Sequence, residues 1–204
     1  MKKYRTAFIG STRGTILKSI LSAWEFRNLP IIPVGIFTDR ENAPIRLRAE
    51  EFGLPLTYIS PKGKSREEFD LVLSSALKAE DTDLVVFCGF MRIVSSLFVK
   101  HWKGRVINAH PSLLPAHKGK MDMDVHRAVI ENKERYTGCT VHLVSEEVDA
   151  GKILLQMKCP VLPEDTPETV KSKVQNLETQ CYMKILEAPE DYLPDIKFSS
   201  CIKS

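Results

Sequence analysis

The sequence predicts an α/β, doubly wound fold: a mostly parallel sheet with helices on both faces, a C-terminal antiparallel hairpin and a final helix. Three observations predict it. Apolar runs of strand length alternate with stretches of helical spacing through the first half of the chain, and such alternation requires crossover helices and hence parallel neighbours. Two strand-like runs then follow one another across a short turn, which is the pattern of a hairpin. A long helical stretch with its own cap signals comes last.

Taken in order, the strands are "TAFI" (6–9), "IIPVGIF" (31–37), "LTYI" (56–59), "LVVFCGF" (84–90) and "RVINAH" (105–110). Between the first two, "GTILKSILSAWEF" (14–26) sets Ile16, Ile20 and Leu21 on one helical face. Before the fourth, "SREEFDLVLSSALKAE" (65–80) does the same with Phe69, Val72 and Leu73. From residue 137 the rhythm changes: "TGCTVHLVS" and "KILLQMKCPVL" flank the turn-like "EEVDAG" and predict a hairpin added to the sheet. In the last helix, Thr166 before Pro167 supplies an N-cap and a proline in the first turn. The remainder has two prolines and little periodicity, so one domain over 1–188 and a surface tail over 189–204 are expected.

Composition narrows the function classes. A chain of 204 residues suits one core, since domains usually run about 100–200 residues. A net charge of +3 is too small an excess to argue for binding along a nucleic acid backbone, so an anionic partner is expected to be a small molecule. The five cysteines, Cys88, Cys139, Cys159, Cys181 and Cys201, are scattered, odd in number and without a C-x-x-C pair. That argues against a disulfide framework or a zinc site and for a reducing compartment. No apolar stretch approaches the roughly 18 residues of a membrane span. A cytoplasmic protein without metal or membrane contact is expected.

Two strand ends carry candidate chemistry, because ligands of open parallel sheets bind beyond the carboxyl ends of strands. In "IGSTRGTILKS" a strand runs through Ser11, Thr12, Arg13, Gly14 and Thr15 into a helix. Helix-terminal amides, hydroxyls and the Arg13 charge there suit a phosphate monoester, although the same loop also reads as a plain strand-to-helix turn. It matches neither a P-loop nor G-x-G-x-x-G. In "INAHPSLLPAHKG" (107–119), Asn108 and His110 stand two apart on a strand and face the same side, before Pro111 ends the pairing. An amide beside an imidazole can polarise a carbonyl oxygen, stabilise the oxyanion and move a proton. The pair alone is more often a satisfied structural cluster. Asp149 in the turn "EEVDAG" is the candidate carboxylate partner. No G-x-S-x-G and no H-E-x-x-H occurs, so a substrate rather than a side chain is expected to be the nucleophile.

With "GFMRI" (89–93), "NAHPSLLPAHKG" (108–119), "TGCTVHLV" (137–144) and "VDAGKILLQ" (148–156) in order, the chain resembles the phosphoribosylglycinamide formyltransferases, within the folate-dependent formyltransferase family. The resemblance covers about residue 5 to Leu186 and implies a Rossmann-like formyltransferase fold. It implies transfer of a formyl group from 10-formyltetrahydrofolate, as a co-substrate, to the amine of glycinamide ribonucleotide in purine biosynthesis, and a homodimer is allowed. Asn108, His110 and Asp149 match the family's catalytic residues. Phe90, Met91, Arg92, Ile93 and Val94, with Val144 and Asp149, match its folate pocket, Arg92 facing the benzoyl-glutamate end. Ser11 to Thr15, Arg66, Lys118, Gly119, His142 and Glu178 fall at the acceptor site, and the Leu114–Pro115 bond is expected to be cis.

The chain also departs from the family pattern. "GSTRGT" stands in place of a loop close to S-G-N-G-S-N, "KMDMDV" before His126 is about three residues longer than the common form, and Thr179 replaces a His. These departures leave an amino sugar nucleotide as an alternative acceptor, and a non-catalytic binding relative as the alternative class. The methionyl-tRNA and hydrolase branches are disfavoured, because they would need an added C-terminal or N-terminal domain.

Overall fold

The computed structural model describes residues 3–194 and Ile196. Seven strands form one sheet: β1 (Tyr4–Ile9), β2 (Ile31–Thr38), β3 (Leu56–Tyr58), β4 (Leu84–Phe87), β5 (Val106–His110), β6 (Tyr136–Leu143) and β7 (Ile153–Pro160). Their order is β3-β2-β1-β4-β5-β6-β7. The first five pair in parallel; β6 runs antiparallel to β5, and β7 antiparallel to β6. The predicted doubly wound sheet and hairpin are therefore both present.

The central strands are apolar at nearly every position because both of their faces are covered. Along β4, Leu84 and Val86 enter one core with Leu17, Ile20 and Leu21 of α1 (Thr15–Arg27) and much of α6 (Pro167–Glu187). Val85 and Phe87 enter the other, with Phe69, Leu73 and Leu77 of α3 (Arg66–Ala79) and Phe98 of α4 (Ser96–His101). Fully burying each such side chain is worth about 1.5–3 kcal/mol. Two residues depart from the sequence pattern. Leu17 rather than Ile16 is fully buried on α1, leaving Ile16 at the core's edge. Val72 is 43% exposed, because the buried face of α3 runs through Phe69, Leu73 and Leu77.

Short helices complete the fold: α2 (Arg46–Glu51), α5 (Met123–Glu131) and α7 (Pro189–Tyr192). Thr166 caps α6 as expected, in a capping box with Thr169, and Pro167 opens the helix. The segment expected to lie as a surface tail instead starts with α7 and returns to the core, where Leu193 and Ile196 are buried. The rest of that segment, including Cys201, lies outside the described residues.

This topology places the site. The order of crossovers reverses between β1 and β4, so the loops leaving their carboxyl ends diverge and leave a crevice. The two loops come very close: Gly89 has φ 71°, and a Cβ there would lie 2.5 Å from the Thr12 hydroxyl. At the same edge, Tyr182 on α6 donates a hydrogen bond to the Phe87 carbonyl at 2.7 Å, which fixes the long helix against β4.

Candidate active site

The crevice opens into a cavity of about 660 Å³. β5 contributes Asn108 and His110, which continue the face of the sheet that Val106 buries. Pairing with β6 sets His142 opposite Asn108 and Thr140 opposite His110. Beyond β5 the backbone is locked by side chains of the hairpin. The Thr140 hydroxyl donates to the Ser112 carbonyl at 2.7 Å and accepts from the Leu114 amide at 3.0 Å and from Gln156 at 2.8 Å. Gln156 also donates to the Leu114 carbonyl at 2.9 Å, and the Leu114–Pro115 bond is cis, as expected.

Asp149 arrives from the turn between β6 and β7 with φ 52°. That turn passes so near β6 that a Cβ on Gly151 would fall 1.7 Å from the Leu143 carbonyl, so only glycine fits there. One Asp149 oxygen lies 3.2 Å from His110 Nδ1 and accepts from the Gly119 amide at 3.0 Å. The other lies 3.6 Å from His142 Nε2. Burial acts to raise the Asp149 carboxyl, but the His110 hydrogen bond and charge, the Gly119 amide and His142 together outweigh it and hold the group below the ordinary carboxylate range.

The two histidines are set differently. Burial, the largest effect, holds His142 below its ordinary value, so its ring is neutral near pH 7. Its Nδ1 lies 2.9 Å from the Leu143 carbonyl; a proton placed there leaves Nε2 as a bare acceptor beside Asp149 and 3.5 Å from the Asn108 amide nitrogen. His110 is buried, with Nε2 3.2 Å from the His117 carbonyl. The cavity thus presents an amide donor, an imidazole–carboxylate pair and a pair of acceptors within one space. Its one wall thiol, Cys88, is pushed upward by burial and then by Glu178, which makes it a poor nucleophile.

Most of the expected residues line this cavity. Phe90, Met91, Arg92, Ile93 and Val94 form one wall with Val144. Apart from the Met91 amide, which donates to Ser11 at 3.1 Å, no main-chain polar group of residues 90–94 has a hydrogen-bond partner among the described residues. Arg92 stacks over the Phe69 ring at 4.5 Å. Thr12, Arg13, Thr15, Gly119, His142 and Glu178 line the same cavity.

Four expected residues are not on the wall. Ser11 is buried and its hydroxyl donates to Asp39 at 2.6 Å. Gly14 serves as the left-handed N-cap of α1. Arg66 is exposed at the start of α3, and Lys118 turns away to pair with Glu147. Conversely, Asp122, His126, Lys171 and Gln175 also line the cavity although the sequence reading did not single them out. Asp122 and Lys171 join at 2.6 Å across 49 residues, a separation that leaves no local signal. Among the described residues no group of His, Cys, Asp and Glu side chains could hold a metal ion, and no helix is long and apolar enough to cross a membrane.

A mostly parallel α/β sheet that gathers Asn108, His110 and Asp149 around one cavity has the means to polarise a bound carbonyl and move a proton, which is the chemistry a group-transfer protein needs. Residues 4–186 match the Formyl transferase family, and the chain belongs to it. It is 34% identical over 177 residues to phosphoribosylglycinamide formyltransferase of Escherichia coli K12, covering 86% of this chain and 82% of that protein. It is 37% identical over 186 residues to the trifunctional purine biosynthetic protein adenosine-3 of Gallus gallus, covering 91% of this chain. The chain spans only 18% of the length of that trifunctional relative. The crystal structure of glycinamide ribonucleotide transformylase 1 from Symbiobacterium toebii superposes with a TM-score of 0.87 at 32% identity, covering 93% of this chain and 88% of that one.

Proposed function

We propose that this chain transfers a formyl group from 10-formyltetrahydrofolate to the amine of glycinamide ribonucleotide, a step of purine biosynthesis. The observation that carries the reading is the meeting of Asn108, His110 and Asp149 in one cavity. Similarity to relatives named for this reaction supports it. The donor wall fits: the unpaired main-chain groups of residues 90–94 suit the polar edge of a flat heterocycle, and Arg92 suits the carboxylates at the far end of a folate.

The donor supplies a carbonyl carbon carried on nitrogen. Asn108 has two amide protons and, among the described residues, only one long contact, so it can donate to the carbonyl oxygen, and the His110–Asp149 pair supports the charge that develops there. As the amine forms the new C–N bond, the carbonyl electron pair moves to oxygen. That pair returns as the bond to the donor nitrogen breaks. His142 Nε2 and the Asp149 carboxylate are placed to accept the proton the amine loses, and the departing nitrogen gains one in its stead. Glu178 is the group for the ribose hydroxyls. Burial raises its carboxyl to about 8, so near neutrality it can donate as well as accept.

Incubation with 10-formyltetrahydrofolate and glycinamide ribonucleotide, following the folate product by absorbance, tests this. Turnover with that acceptor and none with an amino sugar nucleotide is expected. The reverse pattern would transfer the chain to a sugar-amine formyltransferase, and turnover with neither would remove it from catalysis.

A further inference from the structure

The acceptor end of the cavity contains a cluster that the reaction above does not use. Asp122 sits in the segment that is longer than the family pattern, with a strained φ of 47° at the N-terminus of α5. Its carboxylate does not cap that helix. It accepts instead from Lys171 on α6 at 2.6 Å, and both residues line the cavity. An ammonium has three donors, and Asp122 is the sole partner of Lys171 among the described residues, so two remain for a ligand. His126 lines the same space, is 2% exposed, and its Nδ1 has no hydrogen-bond partner among the described residues. Such a group is costly to bury unless a ligand or water completes it.

The charge balance points to an anion. Arg13, Lys120 and Lys171 line the cavity with Asp122, while Asp149 is committed to His110 and Gly119. The only other carboxyl, Glu178, is held largely protonated near neutrality by burial. Meanwhile the first loop offers less than its sequence promised, because the Ser11 hydroxyl is spent on Asp39.

Resting on the function proposed above, we propose that Lys171, positioned by Asp122, is a specificity-determining residue that grips the phosphate monoester of the acceptor together with Arg13. The long 120–125 segment is then a holder for a cation rather than a neutral insertion.

The test compares wild type, Lys171→Met and Lys171→Arg with glycinamide ribonucleotide and with its dephosphorylated riboside. Lys171→Met is expected to lose roughly 10–100-fold in kcat/KM for the phosphorylated acceptor, the range of a lost hydrogen bond to a charged group. It should lose little for the riboside, keep its KM for the formyl donor, and be partly rescued in Lys171→Arg. An unchanged preference for the phosphorylated acceptor, or an equal loss on both acceptors, overturns the proposal. Calorimetry with ribose 5-phosphate and ribose separates this failure from that of the function. Tighter binding of ribose 5-phosphate to wild type that is lost in Lys171→Met supports the grip even if no acceptor turns over. Identical binding to both proteins overturns the grip even if the enzyme is active.

Discussion

At Asp149 two effects oppose one another. Burial alone would raise the carboxyl and neutralise it, yet contacts with His110, Gly119 and His142 prevail and keep it charged well into acid. The charge is therefore part of the site's resting state and orients the His110 ring. Asp149→Asn preserves shape and removes that charge, while His110→Ala removes the ring. Each is expected to lower kcat by a factor on the order of a hundred or more with little change in donor affinity. Steady-state kinetics alongside a donor titration measures both quantities, and a normal kcat in either variant would exclude that residue from the chemistry. Because Asp149 lies below the ordinary carboxylate range, an acid limb of kcat above pH 4 in wild type must come from another group.

Among the elements, the β6–β7 hairpin both extends the sheet and holds the reactive loop. The fully buried Thr140 hydroxyl joins Ser112, Leu114 and Gln156, and so fixes the backbone immediately after His110. Thr140→Val keeps the volume and strands the Leu114 amide, so a loss of roughly 1–3 kcal/mol is expected. Denaturant melts read that loss. A fall in kcat larger than the fall in donor affinity should accompany it, since the loop that carries His110 loosens; unchanged stability would mean the hydroxyl is dispensable. This scale also explains what was legible in the sequence. Asn108 and His110 could be paired because a strand repeats every two residues, and Thr166–Pro167 because caps are local. Helices α2, α4 and α5 were not picked out, since six to nine residues carry too little periodicity. Val72 was misplaced because two neighbouring apolar positions on a helix cannot be ranked without the partner it packs on. The Asp122–Lys171 pair and the diversion of Ser11 to Asp39 arise from packing across 49 and 28 residues, which no local pattern encodes.

For the whole molecule, two buried groups on the cavity wall set a pH window of stability. Burial raises Glu178 to about 8 from an ordinary 4.5, so its stabilising contribution is complete below 4.5 and is lost as pH rises through about 8. His126 behaves in the opposite sense. Burial, reinforced by Lys171, lowers it to about 4 from 6.5, so its contribution is complete above 6.5 and is lost as pH falls through about 4. Between 4.5 and 6.5 the folded chain holds one proton on Glu178, and the unfolded chain holds one on His126. The two slopes cancel there, and these groups impose a plateau. From 6.5 to 8 only the folded state keeps its proton, so stability falls by about 2 kcal/mol, at 1.36 kcal/mol per pH unit. In a chain of this size that is roughly 4–8 °C of melting temperature. Glu178→Gln, neutral at every pH, should abolish the alkaline decline and turn the plateau into a rise of stability with pH from about 4 to 6.5, where His126 alone then sets the slope. Calorimetric melts from pH 4 to pH 8.5 on both proteins measure it, and an alkaline decline that persists in the variant would assign the slope to a different group.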